Sequence, residues 1–106
     1  MSNSVIAEIE SERARQIIKE GWTRGHDDQH DQGALATAAA SYALNAGDMV
    51  NPNRKGFAKH PPHFWPFDVE WWKPKTPRRD LIRAAALIVA EIERLDRAAP
   101  PAKGER

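Results

Sequence analysis

The chain contains no cysteine, which excludes disulfides, thiolate nucleophiles and cysteine-ligated zinc. An excess of one charge is also missing, since 16 Lys and Arg stand against 15 Asp and Glu for a net charge of +1. That balance gives no bulk drive toward a nucleic-acid polymer or a membrane surface. The longest strongly apolar stretch, Ala84 to Ala90, is far short of the roughly 20 residues that cross a bilayer. The start, Met1-Ser2-Asn3-Ser4, lacks the basic and apolar regions of a secretion signal. No phosphate-cradling glycine loop, serine elbow or histidine–glutamate–histidine helix motif occurs, so no nucleophile site is recognisable. The expectation is a cytoplasmic protein with neither a membrane nor a nucleic-acid polymer as partner.

What is present describes an all-α domain. The 106 residues, 41% hydrophobic and 29% charged, suit one globular unit, here drawn as residues 1–97 with a flexible tail over 98–106. A domain of this size is modestly stable alone, so self-association offers further burial.

The spacing predicts three main helices. In the first, from Ser4 as N-cap to Glu20, Ile6, Ile9, Arg13 and Ile17 recur at helical intervals, and Gly21 supplies the stop. The second runs from Asp31 or Gly33 to Ala46 and is dominated by alanine, the strongest helix former, with Gly47 closing it. The third opens with Thr76 as N-cap and Pro77 at the first helical position. Its Leu81, Ala85, Ile88, Ile92 and Leu95 follow alternating steps of four and three, a heptad-like stripe. The alanine-rich and heptad-like faces are the candidate surfaces for a homo-oligomer.

Between the second and third helices, Asp48 to Lys75 holds five prolines and six of the eight aromatic residues. A connection this long in a small domain is functional or disordered, and so many aromatics disfavour disorder. An ordered aromatic and proline-rich loop is expected.

Three segments could carry chemistry. In Trp71-Trp72-Lys73-Pro74-Lys75-Thr76-Pro77-Arg78-Arg79-Asp80, four cations crowd the start of the third helix, where free backbone N–H groups attract anions. Lys73, Lys75, Arg78 and Arg79 would grip phosphate while Trp71 or Trp72 stacks on a base. In the alternative arrangement the acids of the first helix and Asp80 pair with the arginines, and the tryptophans fill the core.

The second segment is His26-Asp27-Asp28-Gln29-His30-Asp31. Its donors suit a divalent metal, a helix cap or a ligand wall in which Trp22, His26 and His30 face the loop. The third, Glu91 to Arg97, has acidic spacing fit for magnesium and equally reads as a solvated face with a Glu93–Arg97 pair. His60-Pro61-Pro62-His63 reads as stiffened loop.

These strings, with Gly21-Trp22-Thr23, Trp65-Pro66, Arg79-Asp80-Leu81 and Ala90-Glu91-Ile92-Glu93-Arg94-Leu95-Asp96, together resemble a group of small phage and prophage proteins. The resemblance covers nearly the whole chain and carries no settled activity. It implies a bacterial host cytoplasm, and by analogy a phage origin suggests the task of small oligomeric phage proteins that sequester the nucleotide signals of bacterial immunity, which a basic and aromatic pocket would suit. A more remote likeness is to MazG-like helical pyrophosphatases, which hold magnesium between acidic helices. Glu93 to Asp96 matches half of their acidic pattern, whereas Gly33 to Ala46 contains no acidic residue at all.

The sequence expectation is therefore non-catalytic binding of a small phosphorylated ligand, with no cofactor. Trp71, Trp72, Lys73, Lys75, Arg78, Arg79, Trp22, His26 and His30 are its site. Two alternatives accompany it. One is magnesium-dependent hydrolysis of a nucleotide through Asp28, His30, Glu91 and Asp96; the other is a protein-binding inhibitor acting through the aromatic loop.

Overall fold

Alanine lets helices approach closely, and here it sits where two helices meet. The computed structural model describes residues 3–98 apart from Asp31 and Ala58. Helices α1 (Asn3–Glu20), α2 (Arg24–Gln29), α3 (Ala34–Val50) and α4 (Pro77–Ala98) account for the regular structure, with one 3-10 turn at Val69–Trp71. No strand occurs among the described residues. Over the described residues the chain is all-α, as its spacing predicts, and the loop between α3 and α4 packs Trp65 and Trp72 into the core.

Helix α3 makes the most extensive contact with α4, and α1 and α2 also pack against α4. Ala38, Ala39 and Leu35 of α3 meet Ala84, Leu87 and Ala90 of α4 in the core. The loop completes that core with Trp65 and Trp72, both buried. Tyr42 holds the two indoles. Its ring stacks on Trp72 with centroids 4.9 Å apart and meets Trp65 edge-on at 5.6 Å.

Local signals fix most ends. The Thr76 hydroxyl accepts from the Arg79 amide at 3.1 Å, the capping bond expected ahead of Pro77. Gly21 adopts φ +76° after α1, and Gly33 adopts φ +84° before α3, values that side chains with a Cβ resist.

Four details depart from the sequence reading. Ser4 lies inside α1, which already includes Asn3. The polar stretch after Gly21 forms α2, capped by the Thr23 hydroxyl accepting from the His26 amide. Helix α3 passes through Gly47 to Val50, because buried Asp48 is anchored by Arg54 at 2.9 Å and tertiary anchoring outweighs a glycine's roughly 1 kcal/mol helix penalty. Asp31 and the expected tail lie outside the described residues except for Ala98, which is helical.

The apolar residues of α4 divide between two faces. In α4 the heptad-like stripe points outward, with Leu81, Ile88, Ile92 and Leu95 each close to half exposed. The buried face is instead Ile82, Ala86, Leu87 and Ala90, flanked by Arg83 and Arg94. In α1 the buried residues are Glu12, Arg13 and Gln16, while Ile6 and Ile18 are exposed.

Candidate functional site

The start of α4 is where the cations were expected to converge, and the structure divides them. Arg78 turns to α1 and forms a two-pronged pair with Glu8 at 2.6 and 3.1 Å. Arg79 turns the same way and pairs with Glu12. Glu12 is fully buried and also receives Arg15 at 2.8 and 2.9 Å and Gln16 at 3.2 Å. Burial opposes its ionisation, but the Arg15 hydrogen bonds and the charges of Arg15 and Arg79 more than offset this, so its carboxyl lies below the ordinary range. The Arg78 hydrogen bond likewise lowers Glu8. Both guanidinium groups are thus engaged by the acids of α1.

The two lysines go elsewhere. Lys73 and Lys75 line a hollow of about 560 Å³ together with Lys59, Asn45, Met49 and Gly56. No acidic side chain belongs to that lining. Among the described residues no carboxylate pairs with these lysines. Lys73 Nζ sits 5.1 Å above the Trp71 ring. Trp72 contributes only an edge to the hollow, since it is 6% exposed and its face lies on Tyr42.

Hydrogen bonds behind the lining hold Asn45 in place. Asn45 Oδ1 accepts from the Phe57 amide at 2.6 Å, and its Nδ2 donates to Asp80 at 3.3 Å. Buried Asp80 accepts from the Lys75 amide at 2.8 Å. Together these bonds tie both ends of the long loop to one point on α3 and the first turns of α4.

A second hollow of about 390 Å³ gathers Trp22, His26, His30 and Trp71, with Phe67 and Glu20 among its other walls. Trp22, His26 and His30 thus lie beside the loop in a hollow that Trp71 joins but Lys73 and Lys75 do not, instead of forming the opposite wall of one site with those lysines. His26 stacks on Trp22 at 5.8 Å, and His30 meets Phe67 edge-on at 5.3 Å. Burial, then the neighbouring His26, pushes His30 below its ordinary value. Trp71 remains 38% exposed at the rim.

The residues named for magnesium are not brought together. Asp28 pairs with Arg97 at 2.7 Å and Glu91 with Arg94 at 2.8 Å. Arg97 therefore reaches α2 rather than forming the expected bond to Glu93. Among the described residues no cluster of three or more His, Asp or Glu side chains is placed to hold a metal.

Sequence reasoning missed Lys59, Asn45, Met49 and Gly56 at the first hollow and Glu20 and Phe67 at the second. Lys59 and Gly56 lie in the loop, with no periodicity to mark them. Thr23, a cap residue three positions before His26, was a legible signal for α2. No protein-family model, curated protein or solved structure matches the chain.

Proposed function

We propose that this protein binds and sequesters a small phosphorylated ligand, a nucleotide immune signal of the kind its phage-like sequence implies, without catalysis. One observation carries the reading: Lys59, Lys73 and Lys75 share an open hollow whose lining contains no carboxylate. Unneutralised ammonium groups around a concavity form a focused positive field, and phosphate is its natural complement. The arginines do not serve this purpose, because Glu8 and Glu12 already satisfy them. Met49 and Pro74 supply apolar wall against which a base would lie. The lysines are exposed, so the attraction is screened over about 8 Å at physiological salt and affinity falls as salt rises.

A homo-oligomer is part of the proposal. Leu81, Ile88, Ile92 and Leu95 of α4 are half-exposed, and Ile88 joins Ala85 and Val89 in a groove of about 580 Å³ formed with Ile6 and Ile9 of α1. A second copy covering this surface would bury the stripe and gain roughly 25 cal/mol for each Å² of apolar area. Hydrolysis is less well supported, since Asp28 and Glu91 are each held by an arginine. Inhibition through the loop is weakened by the burial of Trp65 and Trp72.

The test is a thermal-shift screen of linear and cyclic nucleotides and pyrophosphate, with and without EDTA. Saturation at a hundredfold excess over Kd adds about 2.7 kcal/mol, a shift of roughly 10 °C or more for a domain this small. The shift should persist in EDTA, leave the ligand chemically intact, and vanish in Lys73→Gln/Lys75→Gln. A flat screen across every phosphorylated compound defeats the proposal.

A further inference from the structure

His26 lies in α2 and His30 is its C-cap residue, four positions on, so both imidazoles fall on one side of the helix. Their Nε2 atoms are 3.3 Å apart and their ring centroids 4.5 Å apart. Two nitrogens held about 2.0–2.1 Å from one ion at a tetrahedral angle stand roughly 3.3–3.4 Å from each other. The pair therefore already has the separation of a chelate.

The surroundings fix which atoms are available. Asp27 is fully buried and accepts from Arg13 Nη2 at 2.7 Å through Oδ2. Its Oδ1 lies 3.2 Å from His26 Nδ1. A carboxylate locked to a guanidinium only accepts, so His26 Nδ1 carries the proton and His26 Nε2 keeps its lone pair, turned toward His30. A carboxylate behind an imidazole is the arrangement that orients histidine ligands and raises their basicity. Trp22 flat against His26 and Phe67 edge-on to His30 restrain both rings.

We propose that His26 and His30 chelate one divalent transition-metal ion of the zinc, nickel or copper class through their Nε2 atoms, with the remaining coordination positions open to the hollow beside Trp71. In the free protein His30 Nε2–H donates to His26 Nε2; on binding, that proton moves to His30 Nδ1 and both Nε2 lone pairs meet the ion. No third His, Asp or Glu completes a cluster among the described residues, so water or an anionic ligand fills the other positions. Imidazole donors select this class of metal over magnesium, and Asp28 takes no part because Arg97 holds it. The site is separate from the lysine hollow, so each proposal can fail alone.

The experiment is calorimetric titration of the untagged full chain with zinc at neutral pH, followed by cobalt absorption spectroscopy. One ion per chain is expected. His26→Gln and His30→Gln should each weaken binding at least tenfold, whereas His60→Gln/His63→Gln should leave it unchanged. Imidazole nitrogen NMR of the wild-type chain provides a reading that needs no variant: zinc should move the Nε2 resonances of both histidines and leave both Nδ1 protonated. Absence of saturable uptake, uptake that survives in both single variants, or uptake lost with His60 and His63 would each overturn the assignment.

Discussion

Tyr42 lies flat on Trp72, with ring centroids 4.9 Å apart and planes 20° from parallel. Its hydroxyl reaches past that indole, donating to the Trp71 carbonyl at 3.4 Å and accepting from the Lys73 amide at 3.2 Å. One side chain of α3 thereby fixes both the buried face of the loop and the backbone that presents Lys73. Tyr42→Phe should keep the stack and lose the two hydrogen bonds, for about 1–2 kcal/mol. Tyr42→Ala should cost about 3–5 kcal/mol through the cavity as well. Urea unfolding measures both, and near-ultraviolet circular dichroism should report the freed indole only in the alanine variant.

Buried Glu12 makes stability depend on acid. Its carboxyl titrates below the ordinary 4.5, so the stability it contributes is complete above that value and is lost as pH falls through the lower, folded value. Glu12→Gln should flatten this acid limb. At neutral pH it should destabilise by about 3 kcal/mol, the low end for breaking a buried pair, because Arg15 and Arg79 keep contact with solvent. Denaturant midpoints compared across pH decide the point; parallel curves for the two proteins would show that Glu12 is not the titrating group.

Gly56 is required by a close approach rather than by its backbone angles. A Cβ there would stand 2.6 Å from Asn45 Oδ1 and 2.7 Å from Met49 Cγ. Since Asn45 also receives the Phe57 amide, the loop must shift to make room. Gly56→Ala should lose about 1–3 kcal/mol and reshape the lysine hollow, weakening any phosphorylated ligand found in the screen. An alanine variant with unchanged melting and unchanged affinity would contradict this packing.

The exposed stripe of α4 gives the simplest test of self-association. Ile88→Lys/Ile92→Lys changes residues near half exposure, so the fold should survive. Sedimentation should show an oligomer for the wild-type chain and a monomer for the variant. Melting of the wild type should rise with concentration, and that of the variant should not. A wild-type chain that sediments as a monomer removes the oligomer from the proposal.

The helices were legible because their signals are local. Thr76 and Pro77, the alanines of α3 and the apolar steps of α1 each speak for a neighbourhood of a few residues. The partnerships that decide the site are not local. Arg78 meets Glu8 and Arg79 meets Glu12 across the length of the chain, and no spacing rule announces such pairs. The stripe of α4 shows the same limit. Periodicity identified a continuous apolar face, but alanine, which is small, proved the better partner for α3, so Leu81, Ile88, Ile92 and Leu95 were left outside. In α1 the isoleucines marked a helix correctly, although the face that docks consists of Glu12, Arg13 and Gln16. Trp22, His26 and His30 come together because they lie within one short turn and helix.

The charged seat of α1 has a bearing on how the molecule comes apart. A helix seated by guanidinium and carboxylate groups rather than by grease responds to ionic strength and acid before it responds to cold or to cavity-making substitutions in the α3–α4 interior. Helix α1 should peel away as a unit while Leu35, Tyr42 and Leu87 stay packed. Its departure would strip Arg13 from Asp27 and Glu12 from Arg79, leaving unpaired charge on α2 and at the start of α4 at once.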